Sequence, residues 1–295
     1  MNIEMAYLLG MICGNGEIKR SAGNTTVSVD IPHKKLETED FKDVKIYIKA
    51  SVTDIRAILE PLIGVDLQFI QQKSSSVLSF TKPNADYLIR QILLYTGSGS
   101  SHENIRLAPA VFSSTFDERK AFLRGFADVT GYIRRSNYFF QKYKHRVYLE
   151  VPHNWGLVVD VCNLLKSVDI PVQAIDWAHP NIRDGKLTKA NSGSPNFWKK
   201  EHQIKVWANE FEPIGFGIIH KRNSLALFAD ELRAGFASEG KSVEDITHKF
   251  YWELRELKKE RPLHPAENDN FIPAQIRGRH YNSWREIAAD LGYGE

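Results

Sequence analysis

Two apolar segments with the same spacing of glycine residues stand out along the chain. Residues 6–16 read AYLLGMICGNG, and residues 121–131 read AFLRGFADVTG. Gly10 aligns with Gly125 at a separation of 115 residues, and the glycines that end the two segments align at the same separation. We predict that each segment is a helix and that a strand with two consecutive basic residues follows it. The final glycine is expected to end each helix with a positive φ angle.

The pattern after each segment predicts the same order of elements in both halves of the chain. Apolar and polar residues alternate at 45–48 and again at 146–149, as strands require. We expect an amphipathic helix, two further strands and a closing helix after each of these strands. In the first half these elements are predicted at 53–63, 66–72, 76–81 and 85–94. In the second half they are predicted at 154–168, 172–177, 202–211 and 221–233.

This duplication predicts an α+β fold of two αββαββα repeats, each with an antiparallel sheet that carries helices on one face. The first repeat is expected at 1–97 and the second at 116–236, joined by a linker at 98–115. The linker region is rich in Gly and Ser, a flexible composition. Residues 237–295 are expected to form a helical C-terminal extension. We predict a charged helix at 242–261, a basic loop at 272–281 and a short helix at 283–292 within it.

The composition excludes several classes of protein. With 42% hydrophobic and 25% charged residues, the 295-residue chain is expected to be globular rather than disordered. No apolar run reaches the roughly 18 residues that a spanning helix needs, so we expect no membrane partner. Cys13 and Cys162 lie in apolar runs and are predicted to be buried thiols, which favours a cytoplasmic location. The histidines lack cysteine partners at zinc spacing, and no nucleotide-binding glycine motif is present.

The two glycine-containing segments resemble the paired motifs of the LAGLIDADG homing endonuclease family. The matching residues are 8–16 (LLGMICGNG) and 123–131 (LRGFADVTG), and residues 212–216 (EPIGF) resemble the closing segment of the family's second half. The resemblance covers about residues 4–235. It implies a monomer in which the two motif helices pack side by side between two sheets. These sheets would form a saddle over double-stranded DNA, with strand side chains reading the major groove.

The close packing of the motif helices is also expected from the residues themselves. Gly10 and Gly14 are four residues apart, so they lie on one face of a helix. A face without side chains lets a second helix approach closely, and Gly125 is expected to serve the same purpose in the second segment.

The sequence departs from the family's pattern at the positions that bind metal. Active members carry an acidic residue before the last glycine of each motif, and these two carboxylates hold the divalent metal that supports hydrolysis. Asn15 and Thr130 occupy these positions here, so the charge that favours Mg²⁺ is missing. Asp128 matches an acid that is mainly structural in the family, and Glu17 lies just after the first motif. These two carboxylates are the weak candidates for substitute metal ligands.

Lys221 matches a position near the cut site where the family often carries a basic residue. The alternative is that Lys221 simply begins the last helix of the second repeat. No resident cofactor is predicted, and Mg²⁺ is expected only if the chain cuts DNA.

Basic and amide residues in predicted strands and loops are the candidates for DNA contacts, because such side chains donate to phosphates and base edges. Alternation places only every second strand residue on the binding face. The small net charge of +3 neither demands nor excludes a nucleic acid. The candidates are Lys19, Arg20, Arg134, Arg135, Gln141, Lys142, Lys144, Arg183, Lys186 and Lys205.

The resemblance and its departure together predict sequence-dependent binding of double-stranded DNA without efficient cleavage. Three alternatives stay open at the level of sequence. One is an active or partner-dependent endonuclease of restriction or mobile-element type that uses unusual ligands. The others are an RNA-binding protein similar to the maturases of the family, and a transcription regulator that keeps a degenerate copy of the fold.

Overall fold

A computed structural model describes most of both predicted repeats. The described residues are 1–39, 41, 43–97, 99–135, 145–152, 154–172, 174–176, 202–238, 274–276 and 279–281. The first half contains α1 (Ile3–Asn15), β1 (Gly16–Arg20), β2 (Asn24–Pro32), α2 (Val44–Ile63), β3 (Gln68–Gln71), β4 (Ser75–Pro83) and α3 (Tyr87–Tyr95). The second contains α4 (Pro109–Phe112), α5 (Phe116–Thr130), β5 (Gly131–Arg135), β6 (His145–Val151), α6 (Trp155–Lys166), β7 (Ala174–Asp176), β8 (His202–Trp207), α7 (Ala208–Phe211) and α8 (Ile219–Ser238). Two short strands follow, β9 (Ala274–Ile276) and β10 (Arg279–Tyr281).

The two halves build four-stranded antiparallel sheets with the same strand order, which confirms the predicted α+β fold. The first sheet has the order β1-β2-β4-β3, and the second has the order β5-β6-β8-β7. The register is equivalent too, because Gly16 lies opposite Val29 in one sheet and Gly131 lies opposite Leu149 in the other. The central positions of the first sheet therefore have counterparts in the second.

The helices α1 and α5 cross at their glycines. A Cβ atom on Gly10 would lie 1.9 Å from the carbonyl oxygen of Phe122, and one on Gly125 would lie 2.0 Å from that of Tyr7. Only a residue without a side chain allows the two backbones to approach this closely, as predicted from the spacing. The contacts are reciprocal because Tyr7 and Phe122 are themselves 115 residues apart.

The glycines that end the two motif helices do not have the positive φ angle that we predicted. Gly16 has φ −106° and Gly131 has φ −99°, both in the extended region. Their lack of a side chain serves a different purpose, because a Cβ atom on either would lie 2.6 Å from atoms of the helix's last turn. The chain therefore passes directly from helix to strand.

The prediction of a strand at 45–48 is wrong. These residues belong to α2, whose first N–H groups are capped by the Asp43 carboxylate at 3.1 and 3.2 Å. The buried positions follow the helical period from Tyr47 through Ser51 and Ile55 to Leu59. The strand equivalent to β6 is instead β2, in which Val27, Val29 and Ile31 alternate with polar residues.

Smaller differences concern the segments that join the elements. The strand predicted at 202–211 ends at Trp207, and α7 follows it. Within the predicted linker, Ile105 and Leu107 are buried and Arg106 forms a two-bond ion pair with Asp160 of α6. The described part of this linker thus packs against the rest of the protein, although its composition predicted a flexible segment.

Within the loop predicted at 272–281, the structure describes residues 274–276 and 279–281, and these form two short strands. Strands β9 and β10 pair antiparallel, and β9 lies against β7. The helices predicted at 242–261 and 283–292 lie outside the described residues.

Both cysteines are free and buried, which confirms their prediction as buried thiols. Burial raises the pKa of each thiol well above its usual range. Within the described part of the chain, no helix has the length and apolar character needed to cross a membrane.

Candidate nucleic-acid interface

The last residues of α1 and α5 hold neutral side chains that bond within the protein. The amide of Asn15 donates to the Asp30 carbonyl oxygen at 2.6 Å. The hydroxyl of Thr130 is 3% exposed and donates to the Phe126 carbonyl oxygen, one turn earlier in α5, at 2.7 Å. Neither group brings a negative charge, so these two positions do not fit a divalent cation in the way that a pair of carboxylates would.

A carboxylate that the sequence analysis did not single out lies beside each helix end. Because Gly16 pairs with Val29 and Gly131 with Leu149, Asp30 stands across from the end of α1 and Glu150 stands across from the end of α5. Both alternate with buried apolar residues, so they lie on the sheet face that points away from the core, which we call the outer face. The alternation of apolar and polar residues at 24–32 could have indicated that Asp30 lies on the polar face of a strand. The pairing of β1 with β2, which places Asp30 beside the end of α1, is seen only in the structure.

The two carboxylates have different surroundings. Glu150 accepts from the buried ammonium group of Lys35, lies 3.5 Å from the ammonium group of Lys34, and accepts from the Gln203 amide at 3.0 Å. Lys34 and Lys35 belong to a short 3-10 turn that directly follows β2. In contrast, Oδ1 of Asp30 is buried and has no hydrogen-bond partner among the described residues.

Lys221 is fully buried in the first turn of α8. Its ammonium group donates to the carbonyl oxygens of Ala127, Asp128 and Gly131 at 3.0 to 3.2 Å. Burial lowers the pKa of Lys221 to about 8, against the opposing effect of the Asp128 carboxylate 3.9 Å away. The structure therefore places this predicted residue at the end of α5, where it donates to carbonyl groups of the last helical turn and of the first strand residue.

Asp128 joins α5 to two other parts of the molecule. Its carboxylate accepts from the Tyr7 hydroxyl of α1 at 2.7 Å and from the Gly217 backbone N–H at 2.8 Å. Burial raises the pKa of Asp128, while Lys221 and these donors oppose the rise. Because the oxygens of Asp128 are used inside the protein, its geometry does not favour a metal ligand.

Glu17, the second weak metal candidate, lies on the outer face of the first sheet. Its carboxylate pairs with the Lys19 ammonium group at 2.8 Å, and its side chain is 47% exposed. In the part of the chain that the structure describes, no three His, Cys, Asp or Glu residues are grouped to hold a metal ion.

The outer faces of the two sheets carry different side chains at equivalent positions. Four hydroxyl residues lie across the first sheet, and two of them, Thr26 and Thr81, bond to each other at 2.8 Å. The second sheet carries aromatic and cationic residues instead. Its Arg146 guanidinium lies 4.3 Å from the Trp207 ring centroid, and its Lys205 ammonium lies 5.5 Å from that of Tyr148. The four hydroxyl residues of the first sheet are Thr26, Ser28, Ser79 and Thr81.

The faces also differ in accessibility. The hydroxyl residues of the first sheet are half-buried or exposed. On the second sheet, Arg146 is 4% exposed and Trp207 is 3% exposed. The first sheet therefore offers the more open surface to a ligand.

The structure brings some of the predicted DNA contacts to these faces. Lys19 is 70% exposed on the outer face of the first sheet. Arg134 and Lys205 are half-buried on that of the second. Arg20 and Arg135 are exposed at the strand ends, and the Arg135 N–H donates to Glu39 at 3.1 Å. The remaining candidates lie outside the described residues: Gln141, Lys142, Lys144, Arg183 and Lys186.

Comparison with known proteins gives likenesses to solved structures alone. No protein-family model matches the chain, and no curated protein sequence matches it. The structure of I-DmoI in complex with DNA and manganese is similar over 75% of this chain and 97% of that chain, at 15% identity and a TM-score of 0.39. The homing endonuclease I-WcaI bound to its DNA recognition sequence is similar over 72% and 80%, at 12% identity and a TM-score of 0.40. Full-length DUF199/WhiA from Thermotoga maritima is similar over 87% and 69%, at 10% identity and a TM-score of 0.43.

Proposed function

We propose that the chain is a monomeric protein of homing-endonuclease fold that binds double-stranded DNA in a sequence-dependent manner and does not cut it efficiently. The observation that carries the proposal is the arrangement of two equivalent sheets about the α1–α5 crossing, with a polar outer face on each. The structural neighbours that are bound to DNA agree with this reading of the fold. The proposed repeats are residues 1–97 and 116–236.

The side chains of the outer faces suit the two kinds of contact that DNA requires. Lys19 and Arg134 occupy equivalent positions in β1 and β5, and their charges suit phosphate groups. The hydroxyls of the first sheet can both donate to and accept from base edges in the major groove. The small net charge of +3 leads us to expect affinity that depends on a few local cations rather than on the whole surface.

The proposed lack of efficient cleavage rests on the ends of the motif helices. Asn15 and Thr130 are neutral, and both side chains already bond to the protein backbone. Lys221 is buried and bonded to three carbonyl oxygens, so it does not reach a surface on which a phosphate could lie. These features support binding more than hydrolysis.

The proposal is tested by incubating the purified chain with a library of randomised duplexes and sequencing both bound and cut molecules. Parallel reactions contain Mg²⁺, Mn²⁺ or a chelator, and structured RNA is added to one set as a competitor. We expect enrichment of one long motif in bound duplexes, the same motif in all three conditions, and no cut ends. Breaks at fixed positions that depend on metal would contradict the proposal. Loss of DNA binding to the RNA competitor would favour the RNA-binding alternative.

A further inference from the structure

The outer faces of the two sheets can be compared position by position. Thr26 of β2 corresponds to Arg146 of β6, because each stands three residues before the strand partner of its motif's last glycine. The neighbouring strands keep this correspondence, so Thr81 of β4 corresponds to Trp207 of β8. The other corresponding pairs are Ser28 with Tyr148, Asp30 with Glu150, Val77 with Gln203, and Ser79 with Lys205. A difference within a pair shows what one sheet offers to a ligand and the other does not.

Side chains on the outer face of the second sheet pack against one another. Arg146 is 4% exposed, and its guanidinium carbon lies 4.3 Å from the ring centroid of Trp207, which is 3% exposed. Tyr148 is 9% exposed, and its ring stacks on that of Tyr132 with 5.2 Å between the centroids. The Lys35 ammonium group, from the first half, lies 4.8 Å from the Tyr132 ring centroid. A base edge could reach these cations only by breaking this packing.

The polar groups beside these rings are also used inside the protein. The Glu150 carboxylate accepts from the Lys35 ammonium group and, at 3.0 Å, from the Gln203 amide. All three residues are less than a tenth exposed. Exchanging such bonds for bonds to a base would leave buried polar groups without partners, which costs free energy. The second outer face is therefore poorly suited to reading bases.

The corresponding positions of the first sheet are open and carry small side chains. Thr26, Ser28 and Ser79 are half-buried, and Thr81 is exposed. Gln68 of the edge strand β3 lies directly opposite Ser79, so it shares the outer face, and it is exposed as well. This face presents donors and acceptors that a base edge can reach without rearrangement of the protein.

Two residues of β3 are suited to recognise particular bases. The Gln68 amide donates and accepts at the same time, which matches the N6 and N7 atoms of adenine in the major groove. Ile70 is 59% exposed and lies two residues further along the same face, where an apolar side chain suits the methyl group of thymine. β1 begins at the end of α1, and β3 is the strand of the sheet farthest from β1. Both residues therefore lie at the outer end of the first half.

We infer that the first sheet alone reads the DNA sequence, and that Gln68 and Ile70 select A·T pairs at the outer end of one half of the bound duplex. The second half contributes contacts to phosphate, for which the half-buried Arg134 is suited, and such contacts position a protein without reading bases. The inference rests on the proposed function, which it narrows to a target with sequence preference on one side only.

The test is the position of the sequence preference in the duplexes that the full chain enriches from the randomised library. Hydroxyl-radical footprinting of an enriched duplex marks the length that the protein covers and therefore its centre. We expect preferred bases on one side of that centre, with A·T pairs at the outer end of that side. Replacing those A·T pairs by G·C pairs should weaken binding by about tenfold, as for the loss of a good base contact.

Gln68→Ala removes the amide from the outer face, and Gln71→Ala is the matched control. Gln71 is exposed on the same strand, but it is three residues away, so its side chain lies on the other face of the sheet. We expect Gln68→Ala to lose the preference for an A·T pair, and Gln71→Ala to enrich the motif of the unaltered chain. Lys205→Gln, on the outer face of the second sheet, should also enrich that motif. Circular dichroism establishes that each variant is folded, and if Lys205→Gln is not, the footprint and the two glutamine variants decide.

Three results would overturn the inference. They are preferred bases on both sides of the footprint's centre, the same motif from Gln68→Ala as from Gln71→Ala, and a motif altered by Lys205→Gln. Each of them leaves the proposed function in place, because the chain would still bind a preferred duplex. An unaltered chain that enriches no motif would instead refute the proposed function, and the inference with it.

Discussion

Lys221 stabilises the end of α5 by a means that the sequence does not reveal. The last carbonyl groups of a helix have no partner within it, and a glycine with positive φ is the usual solution. Here Gly131 is extended and continues into β5, and its backbone N–H donates to the Ala127 carbonyl oxygen. A buried ammonium group from α8 donates to the carbonyl oxygens of Ala127, Asp128 and Gly131 in addition. The negative end of the helix dipole favours a cation at this place, which offsets part of the cost of its burial.

This arrangement predicts an unusual dependence of stability on pH. In the unfolded chain Lys221 should titrate near its ordinary pKa of about 10.4, whereas in the folded chain its pKa is about 8. Between these values the unfolded state binds the proton and the folded state does not, so the free energy of unfolding rises with pH. From pH 7 to pH 9.5 the rise from this residue is about 2 kcal/mol. Urea unfolding of the unaltered chain and of Lys221→Met at both pH values measures it.

The same variant should be less stable than the unaltered chain at pH 7. Lys221→Met leaves the buried Asp128 without its counter-charge, a change that costs about 3–5 kcal/mol when one partner of a buried pair is removed. Asp128→Asn in the same chain should restore part of that loss. Equal pH dependence in the two proteins would show that Lys221 does not titrate in this range.

At the scale of elements, the motif helices could be predicted from sequence because their signal is local. Glycines at fixed positions in apolar segments identify both the helices and the face on which they meet, and α1 and α5 cross at Gly10 and Gly125 as expected. The wrong prediction of a strand at 45–48 rested on four alternating residues, and so short a run also occurs by chance within a 20-residue helix such as α2. Strand β2 has the longer alternation of buried and half-buried residues, over Asn24–Pro32, and a long alternation is the stronger indication of a strand.

The carboxylates beside the helix ends could not have been placed from sequence. Asp30 lies 15 residues after Asn15 and Glu150 lies 20 residues after Thr130, so no common spacing marks them. Their equivalence follows from the pairing of β1 with β2 and of β5 with β6, which is a tertiary property. In the same way, only packing shows that Lys221 is buried rather than at a surface.

The crossing of α1 and α5 gives a prediction for Gly10→Ala. In an open helix this change would stabilise the chain by about 1 kcal/mol. Here the new methyl group would meet the Phe122 backbone, which cannot move without separating the two helices. We expect a net destabilisation of about 1–3 kcal/mol, in the range of overpacked cores, measured by urea unfolding.

Gly23→Ala is the matched control for that prediction, because a Cβ atom at Gly23 would have nothing within 4 Å. Its effect should stay within about 0.5 kcal/mol, as for other surface changes. A Gly10→Ala protein as stable as the unaltered chain would mean that the helices do not pack as closely as described.

At the scale of the whole molecule, an aspartate of one helix in each half accepts a backbone N–H from outside that half's sheet. Asp160 of α6 accepts from the Leu107 N–H, in the segment that enters the second half. Asp54 of α2 accepts from the Ile219 N–H, in the segment that returns to the first half. The segment that follows the first sheet is thus bonded to α6 of the second half, and the segment that follows the second sheet is bonded to α2 of the first half.

The difference between the outer faces leads to a prediction about DNA affinity. The open face of the first sheet carries Lys19, whereas Arg146 and Lys205 of the second sheet are buried or half-buried beside aromatic rings. If Lys19 lies on a phosphate, Lys19→Gln should weaken binding to all duplexes alike. It should also reduce the slope of log K against log salt concentration by about 1, because one fewer counterion is released.

The control for this measurement is Lys49→Gln, since Lys49 is exposed on α2 rather than on a sheet face. Fluorescence anisotropy with the enriched duplex and with an unrelated duplex, over a range of salt concentrations, gives both slopes. An unchanged slope for Lys19→Gln would place the DNA elsewhere on the molecule. A change in sequence preference with the slope intact would instead mean that Lys19 contacts a base edge, so that the exposed Lys19 ammonium group helps the hydroxyl face to read the sequence.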